Sequence, residues 1–251
     1  MLKTATELIV DSWNLYTKNW RKFLPFMVMS FLPTLILSAL GTLSLYLSVY
    51  LPSSSLASNI LILVVFAASL VFAIWVTIAL SKTIFDCLLA KPTEWRETFS
   101  ASSSLIWPVA LTSFLVALSV LGGTLLLIIP GIIFAVWYSF ASYAVIFDGA
   151  TGLNAMRASK SLVVGRWWGI AWRVLGAAVV FGFLNSALAS LLTFLTKFLP
   201  LPMFIQSAAP NVFNSLTSAI LAPLATAAIL ILYLSAKQNP VTQPTLPPTM
   251  P

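Results

Sequence analysis

The chain has 251 residues, 60% of them hydrophobic and only 8% charged, with a formal net charge of +7. A soluble globular domain carries about 25% charged residues, so this set cannot build a water-exposed surface and its solvent must be largely lipid, as the mean hydropathy of +1.00 also indicates. Histidine is absent and Cys87 is the single cysteine, which excludes an internal disulfide framework, a Cys/His zinc site and imidazole-based catalysis.

The basic residues are sparse and separated by long apolar runs, which favours a membrane over a nucleic acid as the partner of the positive charge. The first segment is amphipathic. Ile9, Trp13, Tyr16, Trp20 and Phe23 recur at steps of four and three, while Glu7, Asp11, Asn14, Lys18 and Arg21 mark another face. This pattern predicts a helix lying along the headgroups. Its length and its two acidic residues do not suit a cleaved signal, so it is expected to be retained.

From Phe23 to Ser81 there is no charged residue. One crossing needs about 20 apolar residues, so this block predicts two helices, at 23–46 and 60–80. Leu51-Pro52-Ser53-Ser54-Ser55 supplies the turn. A polar stretch follows, containing Glu94 and Glu97, which a solvated helix explains better than paired catalysis. From Thr98 to Phe147 charge is again absent. Crossings are expected at 105–129 and 132–147, with the reversal at Pro130-Gly131.

The segment from Thr151 to Arg166 predicts a second amphipathic helix capped by Thr151. Leu153, Met156 and Val163 give its apolar side, and Asn154, Arg157 and Lys160 its polar side. From Val174 to Ala236 the only charge is Lys197. Crossings at 174–196 and 213–234 flank Leu199-Pro200-Leu201-Pro202 and Pro210. Arg173, just before this block, is expected to snorkel. Residues 1–237 thus form an integral membrane helical domain. Residues 238–251 form a proline-rich cytoplasmic tail whose composition predicts disorder.

The predicted architecture is an all-α polytopic bundle of six transmembrane helices in three hairpins, each preceded by an amphipathic interfacial helix. Ser12, Leu15 and Trp20 match Ser159, Leu162 and Trp167 at a constant offset, which suggests a repeated unit. Six crossings place 12 of the 13 basic residues on one side, leaving Lys197 opposite. The positive-inside rule makes that side, with both termini, cytoplasmic. Trp13, Trp20, Trp95, Trp107, Trp167, Trp168 and Trp172 fall near that interface, whereas Trp75 and Trp137 are expected between helices. Pro33, Pro108 and Pro223 are expected to kink their helices. Two sets of small residues, Gly165 with Gly169 and Ser215, Ser218, Ala222 with Ala225, are expected to permit close helix approach.

No charge lies near a helix centre, the usual mark of an ion or proton pathway. The deepest polar groups are Asn185, Ser186, Asn214, Ser215, Thr217 and Ser218. Asn185, Asn214, Ser215 and Ser218 in particular are read as interhelical hydrogen-bonding residues. Asp148, Arg157, Lys160 and Arg166 form the candidate site for an anionic headgroup, since basic pockets at this face hold such groups. Hydrolase, phosphate-loop and metal-ligand motifs are absent, so neither a cofactor nor an enzymatic activity is expected. The expected role is that of an integral membrane protein that organises or engages lipids or other membrane proteins. The competing class is a transporter or channel for an uncharged or lipid-like solute. A solvated cavity lined by Asn185, Asn214 and Ser218 would favour the latter.

The stretch 125–168 also carries a resemblance. An apolar run ends in Pro130-Gly131 and an aromatic-rich helix ends in Asp148-Gly149. Then come Ala155-Met156-Arg157-Ala158-Ser159 and Gly165-Arg166-Trp167. Together with the opening Ser12-Trp13-Asn14-Leu15-Tyr16 and Asn19-Trp20, this is similar to a group of bacterial membrane proteins. The group includes YciC-type inner-membrane proteins and the membrane domain found beside some glycerophosphoryl diester phosphodiesterases. The resemblance implies a multi-pass protein of the bacterial plasma membrane with no agreed biochemical role. It does not imply phosphodiesterase activity, which belongs to a separate soluble barrel.

Overall fold

A computed structural model describes residues 2–50, 55–92, 94–200 and 202–240. Residues 51–54, within the expected first turn, and the tail 241–251 lie outside the described residues. The regular structure among the described residues is entirely helical. It comprises α1 (Ala5–Tyr50), α2 (Ser55–Leu88), α3 (Trp95–Ala101), a 3₁₀ turn (Ser103–Leu105), α4 (Ile106–Leu126), α5 (Ile128–Trp137), α6 (Ala141–Asp148), α7 (Gly152–Val163), α8 (Trp167–Thr196) and α9 (Met203–Gln238). Six stretches are long and apolar enough to cross a membrane: Ala5–Ser44, Asn59–Leu88, Trp95–Leu126, Ile128–Asp148, Trp167–Thr196 and Ala208–Gln238. The chain is a multi-pass helical membrane protein, since backbone groups in lipid must be satisfied within the spanning segment.

The central helix is α9, which packs against α1, α2 and α8. Small residues let neighbours approach it closely: Ala227, Ala228 and Ala236 are buried beside Leu230, Leu232 and Tyr233. The main core also includes Phe23 and Phe26 of α1, Ala79 and Ile84 of α2, Phe140, and Ile170 of α8. These contacts gather the ends of α1, α2, α8 and α9 that carry most of the basic residues. Both described chain ends lie there too: the Lys3 backbone N–H donates to the Ser235 hydroxyl at 3.3 Å.

The expected headgroup helix at the N-terminus is continuous with the first crossing. At about 1.5 Å per residue, the 46 residues of α1 run about 69 Å, over twice the hydrocarbon thickness. The helix continues through Pro25 and Pro33. Its first turns are also packed against the rest of the bundle along another side. Leu8 and Ser12 are fully buried against the protein, whereas Trp13 and Trp20 point outward. Of the apolar pattern at 9, 13, 16, 20 and 23, Trp13 and Trp20 face outward, Tyr16 packs against the core and Phe23 is fully buried. Arg173, rather than snorkelling, ties this end down. Its guanidinium donates to the Lys3 carbonyl, to the Leu2 carbonyl at 3.5 Å and to the Gly169 carbonyl at 2.6 Å.

The α4–α5 hairpin reverses three residues earlier than expected, at Leu127, whose backbone is extended (φ −163°, ψ 147°). Pro130 then falls in the first turn of α5, where its missing N–H is not needed. Gly131 is a packing residue instead of a turn residue. A Cβ there would overlap the Thr124 hydroxyl and stand 3.0 Å from the Thr124 Cα. Gly123 faces it: a Cβ would stand 3.0 Å from the Gly131 nitrogen. Pro108 likewise sits in the first turn of α4, so it starts that helix rather than kinking it.

Helix α5 stops after ten residues, and α6 begins at Ala141. The interruption is bridged by Ser159 of α7, which is fully buried. Its hydroxyl donates to the Trp137 carbonyl at 2.7 Å and accepts the Phe140 N–H at 3.1 Å. Gly152, Ala155, Met156, Ser159 and Val163 form the buried face of α7, while Leu153 is exposed despite the expectation. Thr151 occupies the N-cap position without a side-chain cap bond. The Gly152 N–H is taken by the Thr112 hydroxyl of α4 at 2.9 Å instead. Gly165, expected at a helix contact, has φ +84° and turns the chain between α7 and α8.

Candidate functional site

The four residues expected to gather for a headgroup are engaged separately. The Asp148 carboxylate accepts the Tyr233 hydroxyl at 2.7 Å and pairs with the Lys237 ammonium. The sequence pattern did not place Lys237 with this group. Arg166 closes the end of α9 by donating to the carbonyls of Ala236, at 2.6 Å, and Asn239. Helix ends leave such carbonyls without intrahelical donors. Burial lowers the Arg166 guanidinium from its ordinary value, but such a group stays charged. The Lys160 ammonium stands 4.0 Å above the Trp137 ring, a cation–π contact that pins α7 on α5. Arg157 is exposed. No two of the four bond each other among the described residues, and three of them serve the fold.

The intramembrane polar residues do come together. The Asn185 amide of α8 donates to the Asn214 side-chain oxygen of α9 at 2.8 Å. The Asn185 oxygen accepts the hydroxyls of Thr217, at 2.7 Å, and Ser218, at 3.1 Å. Ser215 lies outside this network. The Asn185 and Asn214 amides thus bond across the α8–α9 contact, and Asn214 also lines a groove on that flank. This is the use expected of polar groups between membrane helices, typically worth about 0.6 kcal/mol each. The close contact itself is made by Ala177 and Phe181 with Leu221, Leu224 and Ala228, and Ala225 of the expected small-residue stripe packs against this cluster.

A third cluster is visible only in three dimensions. Helix α3 folds back onto α2, held by Phe99. Its ring stacks on Trp75 at 4.1 Å and its carbonyl accepts the Trp75 indole N–H at 2.7 Å. This places Trp75 between helices, as expected. Lys82 adds a bond to the Ala101 carbonyl at 3.3 Å. The fold-back brings Arg96 of α3 to Arg21 and Lys22 of α1, around a cleft of about 530 Å³ whose wall includes Thr83, Glu94 and Trp95. Three cations face one carboxylate. None of the three forms an ion pair among the described residues, where the pairs are Lys3–Asp11 and Lys237–Asp148. Arg21 lies 5.7 Å from the Trp20 ring and Arg96 lies 5.2 Å from the Trp95 ring. The cleft thus joins uncommitted positive charge to the amphipathic rings that favour a membrane interface.

No family model matches the chain, and no curated protein or solved structure is similar to it. The cleft is therefore read from its geometry alone. Guanidinium groups suit bidentate recognition of phosphate or carboxylate oxygens. Among the described residues, no group of His, Cys, Asp and Glu is placed to hold a metal. Three exposed cations in one cleft are suited to an anion.

Proposed function

We propose that this protein is a non-enzymatic component of the bacterial plasma membrane that engages anionic lipid headgroups at its basic end. That end faces the cytoplasm, as the positive-inside rule requires. The observation that carries the reading is the convergence of Arg21, Lys22 and Arg96, from two helices, on one cleft flanked by tryptophans. The polar network centred on Asn185 supports engagement over conduction, since its amides are spent on each other.

The test is lipid retention by the purified full-length protein, read by native mass spectrometry. Phosphatidylglycerol is expected to be retained over phosphatidylcholine, and less so as salt rises. Each basic residue near a charged headgroup is worth about 1 kcal/mol, or roughly fivefold in affinity. Arg21→Ala and Arg96→Ala should each weaken phosphatidylglycerol retention by about that factor. Arg157→Ala should not, because Arg157 does not line the cleft. Equal retention of the two lipids, or indifference to both cleft variants, would refute the proposal.

A further inference from the structure

A second groove lies on the flank of the α8–α9 pair, toward the end opposite the basic cleft. Ser186, Ser190, Thr193 and Lys197 follow one another on α8 at spacings of four, three and four, which puts them on one face. Pro210 and Asn214 of α9 form the facing wall of a groove of about 540 Å³. At about 1.5 Å per residue, the stripe runs about 16 Å from Lys197 inward, half the thickness of the hydrocarbon core.

Two features of this stripe are not explained by the fold. Ser186 and Ser190 are exposed, and neither hydroxyl has a hydrogen-bond partner among the described residues. In lipid such groups carry an unmet desolvation cost. Lys197 is exposed and in no ion pair among the described residues. The sequence has no acidic residue after Asp148, so neither α8 nor α9 can supply a counter-charge to it. A molecule that answers both features needs an acid group at one end, hydrogen-bonding atoms further along it and an apolar remainder.

We propose that the α8–α9 groove binds an anionic amphiphile. The acid group sits at Lys197, polar atoms further along the molecule bond Ser190, about 10 Å inward, and Ser186 beyond it, and the hydrocarbon lies along Ala189 and Phe194. The volume falls within the range of about 300–1,000 Å³ typical of small-molecule sites. This site shares no residue with the basic cleft, so either can fail alone.

The full chain is reconstituted in phosphatidylcholine nanodiscs with diazirine-tagged oleic acid or, separately, diazirine-tagged phosphatidylglycerol. Adducts are then mapped by mass spectrometry after irradiation. Label is expected to concentrate on 186–197 and 210–214, severalfold above the lipid-facing surface of α2 at Leu61 and Leu63. The probe that labels more strongly identifies the source of the acid group. Lys197→Gln should reduce groove labelling at least fivefold, Lys197→Arg should preserve it, and the Ser186→Ala/Ser190→Ala pair should reduce labelling by the phosphatidylglycerol probe about threefold. Groove labelling no denser than on α2 would overturn the proposal. So would labelling unchanged by Lys197→Gln, or a cross-link from the groove to a second copy of the chain.

Discussion

Replacing Gly131 with valine is expected to cost about 3 kcal/mol or more of stability, as overpacking of a close contact does. Even a single Cβ at this position meets the Thr124 side chain and stands 3.0 Å from its Cα. The reverse face offers no relief, because Gly123 is as close to the Gly131 backbone. Membrane helices lack a hydrophobic drive toward each other and depend on such close packing. Gly122, one residue away, has nothing within 4 Å of its Cβ direction. Gly122→Ala should therefore be neutral or stabilising by up to about 1 kcal/mol through helix propensity. Thr124→Ala should recover part of the Gly131→Val loss by removing the nearest side-chain atoms. Thermal unfolding in detergent separates these cases. Equal stability of Gly131→Val and Gly122→Ala would show that α4 and α5 do not approach at these glycines.

Ser159→Ala is expected to be nearly as damaging, at about 2–4 kcal/mol, because one methyl replaces two hydrogen bonds. The Phe140 N–H and the Trp137 carbonyl would both lose their partner. Phe140 and Ser159 are both fully buried, and each such orphan costs about 1–3 kcal/mol. The local signature should be faster amide hydrogen exchange at Ser139–Ala141 with little change in α8 or α9. Exchange and unfolding temperature identical to the unmodified protein would mean that the α5–α6 break is satisfied in another way.

The features legible in the sequence were those set by long-range composition. Charge-free blocks locate the six apolar stretches, since a single charge in lipid is costly whatever its neighbours. The polar network of Asn185 with Asn214 and Ser218 was legible because few polar residues lie at that depth, leaving few partners to choose from. Local punctuation misled where a residue serves packing. Pro130-Gly131 has the composition of a turn, yet Leu127 makes the turn and Gly131 makes room for Thr124. The aromatic repeat of the first segment mixes two roles, since Trp13 and Trp20 face outward while Phe23 joins the core, and interfacial tryptophans are as periodic as a core. The basic cleft was not legible, because Arg96 lies 75 residues from Arg21 and meets it only when Phe99 docks α3 on Trp75. Conversely, Asp148, Arg157, Lys160 and Arg166 are near in sequence, but a left-handed Gly149 and a separate helix α7 send them to different partners.

Both termini and the basic cleft are expected to share the cytoplasmic side. Single cysteines introduced in a Cys87→Ser background test this directly with a membrane-impermeant maleimide. Cysteines replacing Ser54 and Gln206 should label in intact cells, and those replacing Thr98 and Thr151 should label only after permeabilisation. Labelling of Thr98→Cys or Thr151→Cys in intact cells would place the cleft on the outside and contradict the account.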